Sequence, residues 1–549
     1  TRWVSAWLTK HSGVEIDVEQ VKLLFPLRVE VEGLRVGEQL HVERFSANIR
    51  LRPLRQGVVK ADYAGFRGIH IHTDTLTDIV IDRLRVDNFV YDWYEREGCA
   101  HRILLDEGDI SLHESPTPHT PSNENIRLPL TLNVSHTVLR HIRVGYIGPQ
   151  MEVNAVVDCT TLHNIIADTT MHMTLTSADI EEGMLTIAQT GKEPWMLTNL
   201  AVHVDSLYYY PGAFTGQIQK LTFQEVHGLT LQEGAMNLAW KDGTLSLPSI
   251  VIRTTYSTLE GQLHTKIHSK EDVAFEGAGT LHLGYNDARL LAEWIDSIPR
   301  AVVDLYPMET LFASVAVEGT IEQWRLIHCH VSLPTLIDLD VEGSMQTIAH
   351  SHQSRAQCCF EAKTYDLHFL TALTRDSTLH LPSGIVYQGI LCYTPDTLHA
   401  ICSFTLSNGK AIVEASYNHT SGAYTLQVQT DSFDLHPILP NSSLGIISLQ
   451  TLLVGNSTDY WNSDTHIRGT LHLQRLQWNE YTFSNASAQI ILDDRTLYTH
   501  VTYNDSLMQW NQTGTVQYSL NAIKATFQTH LNSLNLQALH LSDTDIHPR

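Results

Sequence analysis

The chain has no run of about 18 apolar residues, so no segment of it reads as a membrane-spanning helix. No signal-peptide pattern is read at its start. Basic residues are scarce: 36 Lys and Arg stand against 60 Asp and Glu, a formal charge of −24. That balance argues against nucleic acid as a partner, which needs a basic stripe, and against broad docking on anionic head groups; it leaves room only for a local basic tip. Charge of either sign is sparse, at 17% of residues, while Thr, Ser, His and Asn are plentiful. Helical bundles favour Ala, Glu, Lys and Leu, so this composition suits strands with polar outward faces. Cysteine is limited to Cys99, Cys159, Cys329, Cys358, Cys359, Cys392 and Cys402, an odd number without zinc spacing. Neither a disulfide framework nor a metal site is expected from them.

Catalytic signatures are missing as well. There is no nucleophile elbow, Walker A loop, dinucleotide fingerprint or zinc-protease helix motif. His70 and His72, and His328 and His330, are i, i+2 pairs that could ligate a metal on one strand face, but they read as outward polar positions of half-buried strands. Asp493 and Asp494 resemble a glycosidase carboxylate pair but sit between two strand-like runs, which makes them a hairpin turn. No catalytic residue, metal ligand or cofactor is assigned.

What is present is alternation. "EGQLHTKIHS" sets Leu263, Thr265 and Ile267 against His264, Lys266 and His268. "GTLHL" does the same with Leu281 and Leu283 against His282, and it recurs 190 residues later with Leu471 and Leu473 against His472. Leu426 and Val428 flank Gln427 in the same way. Period two over such lengths means strands with one face on something apolar and the other on water. A second phrase recurs as "TYDLHFL" and "SFDLHPIL", a degenerate repeat without a fixed period. From Gly389 to Thr430 the chain reads strand, "TPDT", strand, "SNGK", strand, "NHTSG", strand. Short turns of this kind join antiparallel neighbours, so the expectation is a meander of hairpins running from Val14 nearly to the end. "HESPTPHTPSNEN" at 113–125 reads as an exposed loop. "NDARLLAEWIDSIPRAVVDLYP" breaks the pattern, with Leu290, Leu291, Trp294, Ile295 and Ile298 at helical spacing, Asn286 or Asp287 as cap and Pro299 as stop. The expected organisation is therefore a repeated-strand segment over 1–284, a helical interruption over 285–309 and a continued repeated-strand segment over 310–549.

The opening "SGVEIDVEQVKLLFPLRVEVEGLRVGEQLHVERFSANIRLRPL", through Gly13, Val14, Ile16, Phe25, Pro26, Val29, Val31, Gly33, Leu34 and Val36, resembles the start of AsmA-like proteins of the TamB type. "LSLPSIVIRTTYSTLEGQLH" and "SFDLHPILP" are similar to later phrases of that family. The resemblance is one of repeat style over most of the chain. It implies a mainly β fold with few short helices: an elongated, curled antiparallel sheet forming a U-shaped, taco-like apolar groove. It also implies a periplasmic protein anchored to the inner membrane through an upstream helix, with an outer-membrane β-barrel partner reached through a further C-terminal part. Family members are linked to phospholipid movement between the two membranes and, for TamB, to outer-membrane protein assembly. On that reading the lining would include Val29, Val31, Leu263, Ile267, Leu281, Leu283, Leu426, Val428, Leu471 and Leu473. The chain begins "TRWVSAWLTKHSG" with no initiator Met, and Trp3 and Trp7 read as the membrane-proximal end of a short amphipathic helix or as a packed first helix.

The physics of a one-sided sheet permits this. An apolar face needs a second layer or an apolar ligand, and an acyl chain supplies about 0.8 kcal/mol per buried methylene. Roughly 35–40 strands at about 4.8 Å would give on the order of 170–190 Å if stacked along one axis. The alternative is two walls packed on each other as a dry core. Three functions compete: a lipid conduit without catalysis, a β-solenoid acting on polysaccharide, and a scaffold that binds proteins by adding strands at an open edge. The hairpin turns argue against the second.

Overall fold

In the computed structural model the described residues are 15–536, apart from 25–27, 38, 74–76, 114–129, 150, 190–193, 270–271, 295–308, 349–352, 366–383, 407–408, 440–441, 458, 460 and 520–521. Trp3 and Trp7, Pro299 and most of "TYDLHFL" lie outside them. The fold is mainly β, as the alternation requires, and the chain divides into two compact bodies, Thr1–His268 and Ser269–Arg549.

The first body holds β1 (Ile16–Leu24), β2 (Arg28–Val36), β3 (Leu40–Arg50), the single-turn helix α1 (Leu51–Leu54), β4 (Val58–Thr73), β5 (Thr77–Asp92), β6 (Glu97–His113), β7 (Thr131–Ile147), β8 (Met151–Ala167), β9 (Met173–Leu175), β10 (Ser177–Gln189), β11 (Trp195–Tyr210), β12 (Ala213–Glu225), β13 (Thr230–Lys241), β14 (Thr244–Thr254) and β15 (Thr258–Ile267). Apart from β6 and β7, each strand pairs antiparallel with the next, except that β8 pairs with β10 and short β9 bridges β8 and β11 beyond the end of β10. One junction departs from the expected meander. β6 and β7 are parallel, Glu97 opposite Thr131 through His113 opposite Ile147. The chain between them, 114–130, contains the Pro-rich stretch read as a loop. Its length is what lets β7 return to the starting end of β6, which a two-residue turn cannot do.

The second body holds β16 (Val273–Leu283), α2 (Tyr285–Trp294), β17 (Leu311–Thr320), β18 (Gln323–Leu333), β19 (Ile337–Ile348), β20 (Gln353–Thr364), β21 (Val386–Tyr393), β22 (Thr397–Leu406), β23 (Gly409–Asn418), β24 (Tyr424–Asp434), β25 (Leu444–Gly455), β26 (Ile467–Trp478), β27 (Tyr481–Asp493), β28 (Thr496–Asn504), β29 (Met508–Ser519) and β30 (Ala522–Leu534). Every consecutive pair from β16 to β30 is antiparallel. The turns predicted at "TPDT" and "NHTSG" fall where expected, and Ser407 and Asn408 of "SNGK" lie outside the described residues. Asp494 and Arg495, with φ of 42° and 56°, are the two-residue hairpin between β27 and β28. α2 begins earlier than read: Ala288 N donates to Gly284 O at 2.9 Å, so Asn286 and Asp287 lie inside the helix instead of capping it. The described strands are fewer than the 35–40 expected because those of the first body run to 17 residues in β6, β7 and β8.

Candidate functional site

Directly opposed residues in a ladder share a sheet face, so the register traces which side chains form a continuous surface. In the first body one row runs Val21, Val31, Phe45, Phe66, Leu84, Leu105, Leu139, Thr160, Ile180, Val202, Leu221, Gly234, Ile252 and Leu259. It crosses every strand except β9, and Thr160 is its one polar side chain. In the second body a row runs Leu281, Ala313, Val331, Leu339, Ala362, Tyr387, Phe404, Ala411, Thr430, Leu449, Leu473, Ala486, Tyr503, Trp510 and Leu531. The row beside it links Gly279, Val315, Cys329, Val341, Phe360 and Gly389 to Val428 and Leu471. The two "GTLHL" copies therefore serve one surface, offset by a rung.

The residues read as lining fall on these faces. Val29 and Val31 are half-buried, with Ala47 and Phe45 opposite. Leu281, Leu283, Leu426, Val428, Leu471 and Leu473 are half-buried on the apolar face of the second body, while His282, Gln427 and His472 are exposed on the other. Leu263 is half-buried on the side of β15 that carries Leu259; Ile267, near the strand end on that side, is 40% exposed.

A feature absent from the simple alternation organises the first body. On nine strands the apolar period slips by one, through a polar or Gly-containing pair: Glu19–Gln20, Glu32–Gly33, Glu43–Arg44, Arg67–Gly68, Asp82–Arg83, Asp106–Glu107, Arg140–His141, Asp158–Cys159 and Glu181–Glu182. The register keeps these pairs level from β1 to β10. Backbone bears the slip directly: φ is positive at Gly33, Gly68, Glu107, His141 and Glu182. A left-handed residue within a strand bends it and increases its twist. Five such bends, on β2, β4, β6, β7 and β10, at the height where all nine pairs lie level, make a crease. Its floor is the row Val18, Val42, Ile69 and Ile142, at 5%, 2%, 5% and 8% exposure. The polar pairs form a charged ridge on the opposite face. The signal was legible as apolar–polar–apolar–polar–polar–apolar–polar–apolar, for instance "VEVEGLRV".

Much of the surface stays open. The solvent-accessible area is 34353 Å². A compact protein of 61.8 kDa exposes about 20,000 Å², and two separate compact halves together only about 24,000 Å². Large apolar side chains are correspondingly exposed, including Val315, Tyr393 and Tyr417 on the apolar face of the second body.

The polar face offers partnered groups. His72 pairs with Asp78, His330 Nδ1 lies 2.8 Å from Asp340, and the His328 and His330 rings stack at 6.3 Å. Among the described residues no group of three or more His, Cys, Asp or Glu is placed to hold a metal. Burial pushes the Cys329 and Cys358 thiols up, away from the thiolate a nucleophile needs. Asp493 of the carboxylate pair is engaged by His466 at 2.7 Å. Chemically, the sheets offer extended apolar area backed by a solvated face.

No protein-family model matches this chain, and no curated protein matches it.

Proposed function

We propose that this is a non-enzymatic protein of a two-membrane cell envelope whose apolar sheet faces take up phospholipid acyl chains and carry them between the inner and outer membranes. The observation that carries the reading is the apolar row in each body, interrupted by Thr160 in the first and Thr430 in the second, combined with a surface far larger than a packed core leaves. Acyl chains need only continuous apolar contact. They offer no hydrogen bonds to be read, and rows of Leu, Val, Ala and Phe offer almost none. The resemblance of the opening strands to the AsmA-like family supports a periplasmic setting at the inner membrane. Lipids extracted from the purified chain and identified by mass spectrometry test the reading. Phospholipid in stoichiometric excess over the chain is expected; a lipid-free protein that fails to move labelled phospholipid between vesicles would remove its basis.

A second reading, an assembly scaffold for outer-membrane proteins, is favoured by one observation. β30 pairs only with β29 among the described residues, and Ile523, Phe527 and Leu531 on one of its faces are 71%, 53% and 51% exposed. An edge of this kind accepts an added strand. Crosslinking from β30 to a barrel precursor, with no lipid bound, would favour it.

A further inference from the structure

Two short turns lie side by side at one end of the first body. One is α1 with residues 55–57, between β3 and β4; the other is 93–96, between β5 and β6. Trp93 N donates to Gly57 O at 3.0 Å, and Gly57 N to Leu54 O at 3.2 Å. Asp92 Oδ1 accepts from Tyr94 N at 2.9 Å and Glu95 N at 3.2 Å. The Tyr94 ring lies across Gly57, where φ is +78° and an added Cβ would come within 2.2 Å of the ring. So both turns are fixed, yet they hold large apolar side chains in water: Tyr94 is 80% exposed, Trp93 52% and Leu54 48%. Arg52, Arg55 and Arg96 belong to the same turns, exposed and without an ion pair among the described residues, with Glu95 as the exposed acid beside Arg96.

Charge distribution favours the edge of the first body that holds both turns. Residues 1–102 contain 15 of the 36 Lys and Arg and 15 of the 60 Asp and Glu, so they are neutral and the whole formal charge of −24 lies beyond them. An anionic surface repels the remainder of the chain but not this part.

We infer that the paired turns dock on an anionic lipid bilayer, with Trp93, Tyr94 and Leu54 at the boundary between head groups and acyl chains and Arg52, Arg55 and Arg96 against the phosphates. Trp and Tyr prefer that boundary because one end of each ring system is apolar and the other polar. Arg keeps its head at the phosphates while its stem lies on apolar surface. Each cation near such a surface raises binding about fivefold, within a screening distance of about 8–10 Å at ordinary salt. The inference stands apart from the acyl-chain reading: the turns would seat on a bilayer whatever the sheet faces carry.

The test is co-sedimentation of the full chain with vesicles of phosphatidylcholine alone or mixed with phosphatidylglycerol, at low and high salt. Preferential, salt-sensitive binding to the mixed vesicles is expected. Trp93→Ala with Tyr94→Ala should lower partitioning at least about tenfold, and Arg52→Glu with Arg55→Glu should abolish the preference for anionic lipid. Trp195→Ala with Met196→Ala, exposed at the opposite strand ends, should change nothing. The substituted side chains are solvent-facing, and circular dichroism melting verifies that each variant folds. The inference is overturned by absence of vesicle binding, by binding that survives both turn variants, or by loss that follows only Trp3→Ala with Trp7→Ala. Lipid carried by the purified chain is measured separately, so failure of one proposal does not mask the other.

Discussion

Leu473→Asp is the sharpest probe of the apolar face. Leu473 is half-buried on β26, with Leu449 and Ala486 directly opposite. Truncating a half-buried Leu costs about 1 kcal/mol, and a carboxylate at a site still reached by water adds roughly 1 more, against the 5–15 kcal/mol of a typical domain. The sheet should survive. On the proposed function, transport should not. One leaflet of a hydrocarbon core of about 30 Å is about 15 Å thick, so an acyl chain spans about three strand spacings of about 4.8 Å. A charge in the row displaces roughly three to four methylenes at about 0.8 kcal/mol each, a barrier of about 3 kcal/mol and a slowing of about 100-fold. His472→Asp is the matched control: the side chain is exposed on the polar face, and Gln450 and Ser487 opposite it are uncharged, so no like-charge repulsion is added. Transfer of fluorescent phospholipid between vesicles is the assay, with thermal melting of each variant beside it. Equal impairment by the inward and outward charges, with both variants folded, would refute the reasoning.

Gly68→Val places a β-branched residue at φ +58° beside the Glu43 side chain, and should cost about 2 kcal/mol, read as a lower urea midpoint at unchanged m. Burial, and secondarily His163 with its Nδ1 at 3.3 Å, holds the His136 imidazole below its usual pKa. A depressed pKa means the folded state resists protonation, so its contribution is full above about 6.5 and falls away as pH drops through the folded value. His136→Gln should flatten the loss of melting temperature between about pH 7 and 5. The Asp505 carboxylate accepts from Ser484 N at 3.2 Å, Leu507 N at 2.7 Å and the Tyr503 hydroxyl, tying β27 to the turn after β28. Asp505→Ala strands these donors and should lower stability by about 2–3 kcal/mol in equilibrium unfolding. Asp168, held down to about 2 first by the Thr170 hydroxyl and then by His172 N, should titrate there by carboxyl NMR and stay ionised through mild acid.

The strands of the second body were legible because their alternation is nearly uninterrupted: "GTLHLQRLQW" becomes β26 with Leu471 and Leu473 on one side. The first body was harder. Its strands carry the slip, and a fixed period of two assigns the half beyond each polar pair to the wrong face. "VEVEGLRV" contains both halves, Val29 and Val31 before Glu32–Gly33, Leu34 and Val36 after; only a backbone that turns left-handed at Gly33 keeps all four together. The parallel junction of β6 and β7 was hidden for a different reason. A long polar connection looks the same whether the next strand returns beside its predecessor or reverses, and the distinction is made by pairing across the ladder. Trp93 and Tyr94 were missed because "YDWYEREG" reads as an ordinary hairpin end; their exposure depends on Gly57, from a separate turn, lying under the Tyr94 ring.

The crease bears on selectivity as well as form. Without the slip, each strand of the first body would present one unbroken apolar alternation to a gently twisted surface. With it, the strands bend at one height, and Val18, Val42, Ile69 and Ile142 of the floor row are buried while Leu23 at the strand end stays 71% exposed. Burial graded in this way favours a narrow apolar chain lying along the floor, across the strands. The polar pairs need the outer face, where Lys22 meets Glu32 at 3.2 Å and Arg44 meets Glu32 at 3.5 Å in water. A charged head group finds no such partners along the floor, which offers only Val, Leu, Ile and Gly, so on that reading it rides at the open side. On the proposed function, such a surface discriminates by the number and bulk of tails it can seat. It should carry phospholipids differing in head group at similar rates and slow sharply when a third or fourth tail is added. Competition between two-tailed lipids of different head group and a four-tailed lipid in the vesicle transfer assay decides this. Strong head-group selectivity with indifference to tail number would place recognition elsewhere on the molecule.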